Sequence, residues 1–427
     1  MENPPFKPGN PVTLLNDVFE RNSTYDGPAG SELNSWEDRA GGAVSIGATG
    51  PVEITGCTFT GNRTGDTPAV RNTFGAFPSF GGAISSQAPL TITDSTFTNN
   101  HTGAGGSGGA IASEGPGAAL TLVHDTFDGN HSQDGFGGAV HVGQAALSVE
   151  SSTFSGNWTD KDNFGAAIQA GADVSIAGST FTGNHSGSAG AAIWWSSMPG
   201  GDHVLTVADS TFTGNSGIVA QACQSGPCGD RVAISGSTFG GNSGRPAITL
   251  NATGPGADPH SDRGLLDVVN STITAEATTD WVGGGIDVGQ STARVTNVTI
   301  VIDGAASAGI TAEAGAEVTV ANTIVAGSQP HCVTNTGGAG GTIVDAGGNL
   351  MTPSVVGCPA GFLVGDPALG ALADNGGPTW TMALGAGSAA IDKGVDALCP
   401  ATDQRGLGFP RPVGAGCDIG AFEVQQP

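Results

Sequence analysis

Apolar and polar positions along this chain repeat as one short unit. An apolar, a polar and a second apolar residue come first, and another large apolar residue follows five positions on. The unit reads LTITDSTFTNN from Leu90, LTLVHDTFDGN from Leu120, LSVESSTFSGN from Leu147 and VSIAGSTFTGN from Val174. It returns as LTVADSTFTGN from Leu205 and VAISGSTFGGN from Val232, with earlier copies from Val12 and Val52 and degenerate ones from Leu266, Ala293 and Val318. Period-two alternation puts Leu90 and Ile92 on one face of a strand and Thr91 on the other. The late apolar position is held by Phe19, Phe59, Phe97, Phe127, Phe154, Phe181, Phe212 and Phe239, then by Ile273, Ile300 and Val325. Copies lie 25 to 40 residues apart, with 27 recurring. Fixed units separated by variable insertions are how a solenoid accommodates loops.

A second cassette falls between these units: GGAV at Gly41 and Gly137, GGAI at Gly81 and Gly108, GAAI at Gly165 and Gly190, GGGI at Gly283. Each coil thus has three short extended pieces. The expected fold is all-β: a right-handed parallel β-helix of about eleven coils, spanning residues 1–329, with an inward Phe ladder. One coil cannot bury its own apolar face, so each depends on its neighbours. Residues 330–427 are expected to form a disulfide-bearing C-terminal capping region of the same domain, because the repeat fades after Val325.

Asn closes most units, at Asn22, Asn62, Asn100, Asn130, Asn157, Asn184, Asn215 and Asn242. Asn tolerates left-handed backbone and bonds its local backbone, so a stacked corner ladder is expected. Six of these eight are also N-x-S/T sequons, but the turn role accounts for the pattern.

Composition narrows the function. Gly numbers 73, charged residues make up 12%, and Lys occurs only at Lys7, Lys161 and Lys393. The net charge of −25 repels polyanions, which excludes nucleic acid and disfavours anionic membranes. No stretch of apolar residues is long enough to span a membrane. Residues 1–22 carry no signal-peptide pattern, yet Val12 and Leu14 already belong to the repeat; a segment before Met1 is expected. No cofactor is expected, and the acidity raises calcium association as an alternative.

Six of the seven Cys fall into plausible disulfide pairs: Cys223 with Cys228, Cys332 with Cys358, and Cys399 with Cys417. They suit an oxidising compartment. Cys57 replaces the Ser of other copies and reads as a small residue in or beside a strand.

The GGAI and FTGN cassettes resemble those of polymorphic outer-membrane protein repeats and related surface β-helices of the pectin-lyase-like superfamily. The C-terminal runs Asp374 to Thr379 (DNGGPT), Ala390 to Gly394 (AIDKG), Asp403 to Gly406 (DQRG) and Cys417 to Glu423 (CDIGAFE) resemble the terminal region of bacterial choice-of-anchor (Q-type) β-helix proteins. Ala389 stands where that pattern usually has Pro. The resemblance implies export and surface attachment, and no agreed activity.

Glycoside hydrolysis needs paired carboxylates, and lyases on such scaffolds need a base beside acids. Arg245, Arg263 and Arg294 lie in different coils with no evident acidic cluster in register. His101, His131 and His185 occupy equivalent positions and form a surface row without a fixed carboxylate. Thr flanks the inward Phe at Thr58/Thr60, Thr96/Thr98, Thr180/Thr182 and Thr211/Thr213, an array broken at Asp128, Ser155 and Gly240. No catalytic, cofactor-binding or metal residue is assigned. The expected function is a non-enzymatic secreted or cell-surface β-solenoid, structural or adhesive, displaying loops to a carbohydrate or a host or cell-surface protein. The alternative is a carbohydrate-active enzyme or carbohydrate-binding protein on the same scaffold.

Overall fold

A computed structural model describes residues 12–24, 41–47, 50–65, 80–160, 164–187, 191–198, 201–222, 229–252, 264–276, 284–303, 308–328, 332–334, 340–353 and 357–425. The chain is a right-handed-type parallel β-solenoid. It divides into two compact units, residues 1–174 with 184–190 and residues 175–183 with 191–427.

In the first unit the repeat strands Val12–Leu15, Val52–Thr55, Leu90–Thr93, Leu120–Val123 and Leu147–Glu150 pair in parallel, Leu90 opposite Leu120 and Ile92 opposite Leu122. The Phe strands do the same, with Phe19, Phe59, Phe97, Phe127 and Phe154 in register. The GGAI cassettes form a third sheet through Val44–Ile46, Ile84–Ser86, Ile111–Ser113, Val140–Val142 and Ile168–Ala170. A fourth, two-residue-wide sheet follows the Asn corner: His101–Thr102, His131–Ser132, Trp158–Thr159 and His185–Ser186. The second unit repeats the three main sheets, for example with Val204–Ala208, Arg231–Ser235 and Leu265–Val269 in one and Ile193–Ser196, Ile218–Ala222 and Ile248–Ala252 in another.

The inward rings stack at the strand spacing. Centroids lie 4.7 Å apart from Phe19 to Phe59 and from Phe59 to Phe97, with interplanar angles of 5° and 1°. In the second unit Phe181, Phe212 and Phe239 stack at 4.7 and 4.9 Å. Every Phe of the ladder from Phe59 to Phe239 is fully buried.

The Asn ladder exists, by a mechanism other than the expected one. The left-handed residue sits one position earlier, at Gly61, Asn99, Gly129, Gly156 and Gly183. The ladder Asn instead bonds between coils. Asn100 donates through its backbone N and Nδ2 to Asn130 Oδ1, both at 3.0 Å, and Nδ2 also reaches Phe59 O at 2.9 Å. Asn62, Asn130 and Asn157 repeat this, each to the next Asn; in the second unit Asn215 bonds Asn242. Since Asn62, Asn100, Asn130, Asn157 and Asn184 are fully buried, their sequons are not open to glycosylation in the folded chain.

A parallel ladder escaped the sequence reading. From the second copy on, the residue two before the late apolar position is buried: Cys57, Ser95, Asp125 and Ser152 in the first unit, Ser179, Ser210, Ser237 and, before Ile273, Ser271 in the second. Ser95 Oγ accepts from Cys57 N at 3.1 Å and donates to Thr93 O at 3.0 Å. Cys57 is a free thiol in that row.

In the second unit, Leu350–Met351 and Leu363–Val364 extend the Phe sheet. Beyond them the tail forms an antiparallel hairpin, Leu369–Ala373 with Thr381–Leu384. It then lies against the outer flank of the coils rather than only across their end. Leu384, Ala390, Ile419 and Phe422 pack with Ile324, Ala326 and Leu350. Gln404 Nε2 donates to Thr238 Oγ1 at 2.9 Å, and Thr272 Oγ1 donates to Gln404 Oε1 at 2.6 Å. Ala421 N donates to Thr299 Oγ1 at 2.9 Å. Thr238, Thr272, Thr299 and Ile324 are thereby buried. That explains the degenerate copies: their outward positions serve a covered face. Gly240 belongs to the same account, since a Cβ there would lie 3.2 Å from Leu372.

Candidate functional site

Most residues singled out by the repeat serve the scaffold. Cys332–Cys358 and Cys399–Cys417 form disulfides; Cys223 and Cys228 lie outside the described residues. The DQRG run is a structural knot. Arg405 is sandwiched between Phe409 and Phe422, its guanidinium carbon 3.9 and 3.8 Å from the ring centroids. It also bonds Asp403 Oδ2 through Nη2 at 2.6 Å and through Nε at 2.9 Å. Close by, burial lowers the Arg411 pKa and raises that of Glu423, each partly offset by the other.

The histidine row forms, with Trp158 as a member the sequence reading omitted. His131 Nδ1 lies 2.8 Å from His101 Nδ1, and its ring centroid is 3.5 Å from that of Trp158. Burial, then the neighbouring His101, lowers the His131 pKa; Asp160, 3.3 Å from Nε2, offsets this. Among the described residues no group of three or more His, Cys, Asp or Glu is placed to hold a metal.

Two outward faces of the cassette sheet concentrate chemistry. In the second unit the outward row runs Trp194, Val219, Thr249, Asp287, Thr311. Arg245 lies 5.9 Å over the Trp194 ring. Burial pushes Asp287 up to about 7, Glu313 adds to this, and Arg245 opposes it. The expectation that Arg245 and Arg294 have no acidic cluster in register is therefore corrected: Asp287 comes from a later coil into the field of Arg245, and Glu313 acts in turn on Asp287; Arg263 lies outside the described residues. Asp267 likewise faces Arg231 at 2.6 Å and Arg294 at 3.8 Å. Loop lengths between the strands hid these juxtapositions.

In the first unit the outward row is Ser85, Ala112, His141, Gln169. Glu114 lies beside it, its Oε1 2.7 Å from His141 Nε2. Its Oε2 leans over Gly143, where a Cβ would sit 2.5 Å away; a side chain there would displace the carboxylate. Phe80, Ser85, Gln87 and Glu114 line an open pocket of about 220 Å³. Phe136, just before the Gly137 corner, stacks at 6.2 Å on His141 and 5.9 Å on Phe164. Phe136 is 40% exposed, unlike the ladder rings. The sequence signal was available in retrospect, as Phe recurs immediately before the cassettes at Phe80, Phe136 and Phe164.

With the geometry in hand, comparison with known proteins gives one match. The Chlamydia polymorphic membrane protein (Chlamydia_PMP) repeat family matches residues 94–114, which carry Phe97, Asn100 and the cassette at Gly108. No curated protein and no solved structure matches the chain. Among the described residues no helix is long and apolar enough to cross a membrane.

Proposed function

We propose that this chain is an extracellular or cell-surface β-solenoid of structural or adhesive role, holding loops and outward sheet faces at fixed positions for a partner. The observation that carries this reading is the repeat match at residues 94–114, which falls on a coil whose corner Asn is spent on inter-coil bonding. Asn100 and Ser95 bond the next coil and have no capacity left for chemistry. The C-terminal motifs support a finer proposal, membership of the choice-of-anchor group within the pectin-lyase-like superfamily. A second reading, a carbohydrate-active enzyme, draws on Arg245, Asp287 and Glu313. The deciding experiment incubates the purified protein with neutral and acidic polysaccharides, with and without calcium. Adhesion to cell surfaces without turnover is expected; clear polysaccharide cleavage would overturn the leading reading.

A further inference from the structure

We propose that the outward face of the cassette strands in the first unit is a carbohydrate-binding site, with Phe136 as the stacking plane for an uncharged pyranose ring and His141, Gln169 and Gln87 as hydrogen-bonding partners of its hydroxyls. This deepens the adhesive reading by naming a ligand class.

Three observations converge on it. The first is Phe136 itself. Every ladder Phe from Phe59 to Phe239 is fully buried, yet this ring is 40% exposed. It is not isolated, because Phe164 stacks on it at 5.9 Å with an interplanar angle of 5°. Exposed apolar surface rimmed by polar groups marks a binding face.

The second is a pair of orphaned atoms. His141 Nδ1 and Gln169 Oε1 are buried and have no hydrogen-bond partner, although they are register neighbours on the outward row. Leaving such atoms unpaired costs about 1–3 kcal/mol each. Glu114 Oε1, 2.7 Å from His141 Nε2, is likewise buried without a hydrogen-bond partner. Gln169 Oε1 can only accept and therefore requires a donor from the ligand. A hydroxyl group supplies it, whereas carboxylate or phosphate oxygens cannot. The Glu114 charge and the net charge of −25 also repel anionic glycans.

The third is size. The adjoining pocket, about 220 Å³, is smaller than the roughly 300–1,000 Å³ of drug-sized sites, which suits a single sugar ring. Gln87 on its wall supplies an amide that can both donate and accept.

The test measures retention of the full chain on immobilised neutral oligosaccharides (cello-, manno- and galacto-series), with oligogalacturonate as the acidic comparison. Retention on at least one neutral series, and none on oligogalacturonate, is expected. Phe136→Ala should weaken it at least 10-fold with an unchanged melting temperature, because the ring is exposed. Gln169→Ala should weaken it several-fold. Failure of the parent chain to bind any neutral series, preference for oligogalacturonate, or Phe136→Ala binding as the parent does overturns the assignment. The two readings fail separately. Cell adhesion unaffected by Phe136→Ala removes this site and leaves the display function; polysaccharide cleavage with Phe136-dependent retention removes the display function and leaves this site.

Discussion

Asp125 is an acid in a row of hydroxyls, and replacing it with Ser should stabilise the protein at neutral pH. Its side chain is 1% exposed. Burial raises its pKa from 3.8 to about 7, and Asp94 adds to this; amide donors from Ser95 and Val123 pull the other way without restoring the ordinary value. A folded-state pKa above the unfolded one means that the folded state holds the proton more tightly. Stability linked to this group is therefore complete below about pH 4 and is lost as pH rises towards 7. A displacement of about three units at 1.36 kcal/mol each amounts to ~4 kcal/mol by pH 7. Ser at this position can do what Ser95 and Ser152 do: accept from the preceding coil and donate to the carbonyl two residues back. Only the bond from Val123 N, 3.0 Å long, is given up, at about 1 kcal/mol. Asp125→Ser should thus be more stable than the parent by ~3 kcal/mol at pH 7 and within ~1 kcal/mol of it near pH 4. Asp287, also held at about 7, contributes equally to both proteins and cancels in the difference. Denaturant midpoints of both proteins from pH 4.5 to 7.5 provide the assay. Parallel pH profiles would refute the argument.

Other expectations follow from the same contacts. Phe154→Ala removes a fully buried ring stacked 4.7 Å from Phe127 and should cost ~3–5 kcal/mol in denaturant unfolding; a parental midpoint would mean the ring is not part of a packed ladder. Asn130→Ala strands the Asn100 amides and Phe97 O, so at least ~3 kcal/mol should be lost, with hydrogen exchange rising first at Asn100. Arg405→Lys loses both ring contacts and the fork on Asp403 and should destabilise the tail by ~2–3 kcal/mol, read as earlier proteolysis beyond Leu369. Truncation after Ser328 uncovers Thr238, Thr272, Ile324 and Ala326; aggregation of the coils and an unfolded isolated tail are expected, and a soluble monomeric rod beside a cooperatively folding tail would show that residues 330–427 are no cap.

The coil itself could be read from the residues. Period-two alternation at Leu90 and Ile92, a Phe five positions on and an Asn three further fix which face of each strand points inward. Stacking like on like then sets the register, because a one-residue slip would turn every Phe outward. Residue identities also gave the Cys332–Cys358 and Cys399–Cys417 pairs. What the outward faces do was decided only in three dimensions. His141 meets Gln169 across 28 residues, and Gln404 meets Thr272 across 132, separations that variable loops leave unmarked in the chain. The same cause hid the coverage of the late coils: Thr at position 60 is half-buried on an open flank, while Thr238 and Thr272 are fully buried beneath the tail. A strand encodes its alternation locally, so its inward face is legible. Its outward face takes its meaning from whatever lies across it, and that is settled by where distant chain segments are brought to rest.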